Sequence, residues 1–170
     1  MQASDTDFLA TYRVSPVLGG CTREKVTSVL SDELVAKVLW PTWAAEVVVP
    51  GGGRVDFVDF RPKGDMREAT AGTVEAGTFR FFEVKSCLDD FHSGHGLNFF
   101  GDEDWLVCPV ELFDELRLRQ ELPDAGVLAY GADRSGRRRF VRLGREQLGK
   151  ARRDPASLLL YQMARAGIGR

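Results

Sequence analysis

Phe79-Arg-Phe-Phe-Glu-Val-Lys85 and, before it, Arg54-Val-Asp-Phe-Val-Asp-Phe60 decide how this chain reads. Both stretches are rich in aromatic and β-branched residues, so both read as strands inside a sheet. Yet they carry ionisable residues: Asp56 and Asp59 on the first, Glu83 and Lys85 on the second. Residues two apart on a strand share a face, so Glu83 and Lys85 project side by side while Phe82 and Val84 pack on the other. Burying a carboxylate or an ammonium is costly unless it is paired or bound to a metal. An Asp on one strand, with Glu and Lys on the next, offers a Mg²⁺ site with a proton-handling amine beside it. The plainer reading is a surface-facing Glu–Lys pair on a half-exposed strand; aromatic flanks on both faces argue against it. Asp56 and Asp59, three apart, point to opposite faces, Asp56 with Val58 and Phe60, Asp59 with Val55 and Phe57. Periodicity alone leaves the choice between them open.

The rest of the chain supplies a sheet and its helices. Thr22 is a plausible N-cap, and Val26, Val29, Leu30, Leu34, Val38 and Leu39 recur at helical spacing, predicting a helix over 22–39 that Trp40-Pro41 ends. Ala45 to Val49 reads as a first strand, turned by Gly51-Gly-Gly53 into Arg54 to Phe60. The third strand covers Thr78 to Ser86, after a polar loop over 61–77. A turn over 89–98 carries Asp89, Asp90, His92, His95 and Asn98. Trp105-Leu-Val107 reads as a buried strand, and 109–120 as a helix with Leu112, Phe113 and Leu116 on one face and a Glu115–Arg119 pair on the other. Gly126 to Tyr130 and Arg138 to Leu143 flank Asp133-Arg-Ser-Gly136 as a hairpin. A last helix starts at Asp154-Pro155, with Leu158, Leu159 and Met163 as its stripe. This order predicts an α/β fold, a mixed sheet flanked by helices.

At 170 residues the chain is expected to be one domain, with residues 1–20 as an extended or loosely packed arm. Its 44% hydrophobic residues suffice for a sizeable core. No run is long enough for a membrane span and no signal peptide is evident, so a cytoplasmic location with reduced thiols is expected. Cys21, Cys87 and Cys108 have no metal-binding spacing and are expected as small buried apolar groups. Net charge is −2, unlike a protein that coats nucleic acid. Between Arg134 and Arg153, however, nine basic residues face one acid, Glu146, a balance of +8 that leaves −10 elsewhere. That asymmetry predicts one basic face able to track a phosphate backbone, or else a solvated Arg-rich hairpin. Gly51-Gly-Gly53 is followed by no Lys-Ser/Thr, so it is not a P-loop.

An Asp, a gap of roughly two dozen residues, then Glu-x-Lys at the end of an apolar strand resembles the PD-(D/E)XK nuclease superfamily. With its flanks, "GRVDFVDF" and "FFEVKSCLDDF", the pattern is similar to the MmcB-like DNA-repair nucleases and related phage-encoded proteins, over about Glu24 to Leu116. The residues over 125–170, the Arg-rich hairpin and C-terminal helix, lie outside it. The resemblance implies a restriction-endonuclease-like fold and a Mg²⁺- or Mn²⁺-dependent deoxyribonuclease. Carried over by position, Asp56 and Glu83 are the metal ligands and Lys85 the group that orients or deprotonates water. The Arg-Val-Asp match favours Asp56 over Asp59. Mg²⁺ suits such a donor set because it takes hard oxygens and keeps several waters.

A fourth acid from the first helix is implied too: Glu24 is the candidate and Glu33 the next, although a first-turn Glu also serves the helix dipole. Glu46, near the glycine turn, either reaches the metal or faces solvent. His92 and His95 lack a third ligand for zinc and are read, with Asn98, as candidates for substrate contact. Arg137, Arg138 and Arg139 are read as backbone contacts to DNA. The rival from another class is an inactive nucleic-acid- or protein-binding module on the same fold, with a protein partner supplying the target.

Overall fold

The computed structural model describes residues 14–51, 53–94, 96–143 and 151–169. Helix α1 spans Arg23–Lys37, and the Thr22 hydroxyl caps it by accepting from the Lys25 amide at 3.3 Å. Its buried stripe is Val26, Leu30 and Leu34, four apart, as 3.6 residues per turn requires. Strands β1 (Thr42–Val49) and β2 (Gly53–Arg61) form a hairpin. Strands β3 (Thr78–Val84), β4 (Glu103–Pro109), β5 (Gly126–Ala132) and β6 (Arg138–Leu143) extend it into one six-stranded sheet ordered β1 to β6. The β3–β4 and β4–β5 pairs are parallel and the other three antiparallel, so the sheet is mixed.

Helices lie on both faces. On one, Leu30 and Leu34 of α1 pack with Phe82, Val84, Val107 and Tyr130. On the other, α4 (Val110–Arg119) sets Phe113 and Leu116 against Leu106, Cys108 and Val127. Beside it α5 (Ala156–Ala166) sets Leu159 and Met163 against Val47, Val58, Phe79 and Phe81. Val84 on one face and Phe81 on the other, like Val107 and Leu106, show the period of two expected of a strand buried on both sides. This is the predicted α/β mixed sheet flanked by helices.

Several details differ from the sequence reading. The stretch over 61–77 holds a 3₁₀ turn at Met66–Glu68 and helix α2 at Ala71–Glu75, which a reciprocal Thr70–Thr73 cap starts. The turn over 89–98 begins with helix α3, Leu88–His92. Both helices have five residues, too few to show a 3.6-residue period. The buried stripe of α5 is Ala156, Leu159 and Met163, with Leu158 only half-buried. Residues 1–13 of the predicted arm lie outside the described residues; beyond them Ser15 exchanges two backbone hydrogen bonds with Ala132 (2.7 and 2.9 Å) and Leu18 is buried, so this part is docked. Of the thiols only Cys108 is buried in the core; Cys21 is exposed and Cys87 half-buried.

The Arg-rich segment is not one face. Arg138 and Arg139 are exposed on β6, an edge strand four places from β2. Arg152 instead folds back toward the β2–β3 side, donating to Gly77 O at 3.0 Å and pairing with Asp102 at 3.3 Å, while Arg153 donates to Pro50 O. Residues 144–150 lie outside the described residues. Among the described residues no helix is long and apolar enough to cross a membrane.

Candidate functional site

The β2 ladder opens at Asp56 on both sides. Against β1, Ala45 pairs with Phe57 and Val47 with Val55, and the intervening Glu46–Asp56 position drops out. Against β3, pairing ends at Phe57–Phe82; carried one residue further, the same register sets Asp56 opposite Glu83. Glu46, Asp56 and Glu83 therefore occupy one row across three adjacent strands. The interruption also shifts the side-chain phase. Ala44, Val58 and Phe60 pack in the α5-side cluster, as alternation requires, but so do Val47, Val49 and Val55, which strict alternation from them would put on the opposite face. Thus Val55 does not share a face with Asp59, as the period of two predicts. Glu46 absorbs part of the kink with a φ of 55°, uncommon for a residue with a side chain. Breaks of this kind re-aim side chains, and here the re-aimed one is Asp56.

Asp56 is half-buried, and its Oδ2 accepts the Val84 amide at 2.8 Å, so its side chain replaces the next rung of the ladder. Val84 lies between Glu83 and Lys85, which places Asp56 at the Glu-x-Lys segment. Burial raises the Asp56 carboxyl above its ordinary value, while the Val84 amide and the Lys85 and Arg54 cations pull it back. Asp59 does something else. It is fully buried and accepts from Arg80 through both oxygens and from the Trp40 amide at 2.8 Å, while the Arg80 guanidinium stacks 3.8 Å from the Trp40 ring centre. It pins the end of α1 to β2 and β3, and its oxygens are spent. Of the two aspartates, Asp56 faces the site.

Glu83 and Lys85 are 1% and 5% exposed. Glu83 Oε1 accepts the Asn98 amide at 3.1 Å, but the buried Oε2 has no hydrogen-bond partner. Burial, then the neighbouring Asp56 carboxylate, push the Glu83 carboxyl up to about 7, against the pull of the Asn98 amide and Lys85. The covering segment is tight. A Cβ on Gly96 would sit 2.6 Å from Glu83 Oε2 and 3.0 Å from Lys85 Nζ, so oxygen, ammonium and glycine border one small space. Gly96 has a φ of 83° and Leu97 of 65°. Asn98 then ties this segment to β2 by donating from Nδ2 to Arg54 O at 2.8 Å.

In front of these residues is a cleft of about 860 Å³. Its lining includes Asp56 and Lys85, Arg23, Thr27 and Ser31 of α1, and Arg54 and Asn98. Asp90, 7% exposed, accepts the Ser86 amide and hydroxyl at 2.9 and 3.0 Å through Oδ2 and pairs with Arg23 through Oδ1. Asp90 and Arg23 have no role in the sequence reading. The Asp-Phe pair after Glu-Val-Lys-Ser is a visible signal for the first; nothing in the sequence marks the second.

The other predicted residues fall elsewhere. The residues of α1 that line the cleft are four apart, Arg23, Thr27 and Ser31, and Glu24 is rotated about 100° from that line. Glu24 is exposed, and the helix-start amide and the Thr22 hydroxyl hold its carboxyl below its ordinary value. Glu33 pairs with Lys37 on α1. Neither is placed to be a fourth acid. Glu46 lines the cleft but pairs with Arg54 at 2.7 Å. His92 faces Glu121, its Nε2 2.6 Å from Oε2, and is not on the cleft lining; His95 lies outside the described residues. Asn98 braces Glu83. Arg137, Arg138 and Arg139 are exposed at the β5–β6 turn and along β6, away from the cleft lining.

Asp56 and Glu83 fit a hard divalent cation: oxygen donors only, one of them buried without a hydrogen-bond partner, a state costly to leave unmet. Among the described residues no three His, Cys, Asp or Glu side chains converge as a metal cluster. A two-carboxylate set suits an ion that keeps its waters. In comparison with known proteins, no family model and no curated protein matches the chain. One solved structure, the SPO1766 protein of unknown function from Silicibacter pomeroyi, is similar at 20% identity over 86% of each chain, with a TM-score of 0.49.

Proposed function

We propose that this chain is a metal-dependent deoxyribonuclease of the PD-(D/E)XK type, hydrolysing phosphodiester bonds in DNA repair or a phage context. One observation carries the reading. The ladder breaks where Asp56 meets Glu83, and the break leaves a buried carboxylate oxygen without a hydrogen-bond partner in the space that Lys85 Nζ also borders. Asp56 and Glu83 would hold Mg²⁺ or Mn²⁺. When bound, such an ion supplies positive charge that makes water more acidic and offsets charge developing on the phosphate.

The protein's own groups do the remainder. Lys85, buried at the end of β3, orients the attacking water through Nζ and handles its proton. Asp56 is held in place by the Val84 amide and Glu83 by the Asn98 amide, so neither carboxylate has to be ordered when substrate arrives. Gly96 and Leu97 close over Glu83 and keep bulk water from its inner oxygen. With its carboxyl pushed up to about 7, Glu83 would have to give up a proton to hold a cation, so uptake would strengthen as pH rises through neutrality.

The test is purified protein with end-labelled single strands, duplexes, flaps and junctions, in Mn²⁺, Mg²⁺ or EDTA. Metal-dependent products from the parent and none from Asp56→Ala are expected. A parent that binds DNA but neither cuts it nor takes up Mn²⁺ would instead be the inactive binding module.

A further inference from the structure

The sequence points to the arginines of the β5–β6 hairpin as the grip on nucleic acid; the fold sets them apart from the cleft. Strands in a sheet stand about 4.8 Å apart, so β6, four strands from β2, lies roughly 19 Å from Asp56. Cations on the cleft lining beside Asp56 are Arg23, tied to Asp90 of α3 beyond β3, and Arg54, tied to Glu46 of β1 on the other side of β2. Their side chains are 55% and 65% exposed, so both are open to a ligand. Each is oriented by a carboxylate. Asp90, itself buried and fixed by Ser86, holds Arg23, and Glu46, at the kinked position of β1, holds Arg54. Thr27 and Ser31 follow Arg23 along one line of α1 with two hydroxyls, over about 12 Å.

We infer, resting on the nuclease reading above, that Arg23 and Arg54 are the substrate-positioning residues of this cleft. They take the phosphates on either side of the one set over Asp56, with Thr27 and Ser31 as hydroxyl donors along the same strand. A phosphate suits the arrangement because guanidinium offers paired donors to its oxygens. Two cations, one tied to α3 and one to β1, with Asp56 on the strand between, suit a chain of phosphates better than a single anion. Phosphate contacts fix register and carry no sequence information. The exposed arginines of β6 have no part in this contact; Arg139 pairs with Asp133 at 3.4 Å and Arg142 lies 5.2 Å from the Trp105 ring centre.

The experiment measures the affinity of fluorescein-labelled 20-nucleotide DNA, single-stranded and duplex, by anisotropy in EDTA across 50–300 mM salt. Parent, Arg23→Gln/Arg54→Gln and Arg137→Gln/Arg138→Gln/Arg139→Gln are compared. Each lost phosphate contact lowers the salt slope by about 0.7 for single strands and 0.9 for duplex, so the double variant should lose about 1.4 to 1.8. The hairpin variant should keep the parent slope. Arg23→Lys/Arg54→Lys should restore most of the slope, and thermal melts with Mn²⁺ should show that the Gln variant still folds and still binds the ion. A double variant with the parent's slope, or a hairpin variant that loses it, overturns this inference and leaves the nuclease reading standing. A parent that binds no DNA overturns both.

Discussion

Glu83→Gln should make the metal-free protein more stable at pH 8 while abolishing its candidate chemistry. Glu83 is 1% exposed, and burial together with the Asp56 carboxylate raises its carboxyl from 4.5 to about 7. The folded state therefore holds a proton that the unfolded chain has already released between those two pH values. Stability from this group is complete below about pH 4.5, falls as pH rises, and has been lost once pH passes 7. At about 1.4 kcal/mol per unit of pH, the loss is about 3 kcal/mol. Glutamine keeps the shape of the protonated acid and has no charge to desolvate. At pH 8 it should recover most of that energy, raising Tm by about 6–12 °C for a domain of this size.

The assay is a series of thermal melts in EDTA from pH 4 to pH 8. The two proteins should melt together at pH 4 and diverge between pH 4.5 and 7, the variant above the parent. Added Mn²⁺ should close most of the gap: at a hundred times Kd it stabilises the parent by about 2.7 kcal/mol and leaves the variant unchanged. Equal melting temperatures at pH 8, or a gap that persists at pH 4, would show that Glu83 is not a buried charge in conflict with its surroundings.

Asp59→Ala should cost about 3–5 kcal/mol, since it leaves Arg80 buried without its partner; Asp56→Ala should change Tm far less and remove Mn²⁺ uptake, read by calorimetry. Lys85→Ala should keep or tighten Mn²⁺ affinity, having removed a positive charge beside the carboxylates, yet lose at least about 10²-fold in cleavage. Cleavage at the parent's rate would make the lysine structural. Gly96→Ala combines a φ of 83° with a Cβ 2.6 Å from Glu83 Oε2. It should cost about 1–2 kcal/mol from the backbone alone and weaken Mn²⁺ binding; unchanged melts and titrations would mean the segment does not sit on Glu83.

Much of the fold was legible because its signals are local. Val26, Leu30 and Leu34 mark α1 by spacing, Thr22 marks its start, and the β5–β6 turn announces itself in Asp133-Arg-Ser-Gly136, where Asp133 accepts the Ser135 and Arg137 amides. Helices α2 and α3 were not legible, since five residues show no period. Nor was the fate of the basic segment. Charge in sequence says nothing of direction, and Arg152 and Arg153 turn back to loop carbonyls while Arg138 and Arg139 stay on β6.

The choice between Asp56 and Asp59 shows where a site parts from its scaffold. A strict period of two treats the two aspartates alike, one per face. What separates them is tertiary: Arg80 and the Trp40 amide converge on Asp59, while the β1–β2 ladder loses its pairing at Asp56. A strand that kept its period would hand Asp56 a ladder position and bury its neighbours in a regular alternation. The break instead sends Val55 and Val47 into the core beside Val58 and frees Asp56 to bond the amide between Glu83 and Lys85. Local consistency stabilises the sheet, and its one interruption gathers the carboxylates. A residue whose pattern fails in this way is where chemistry is to be sought first.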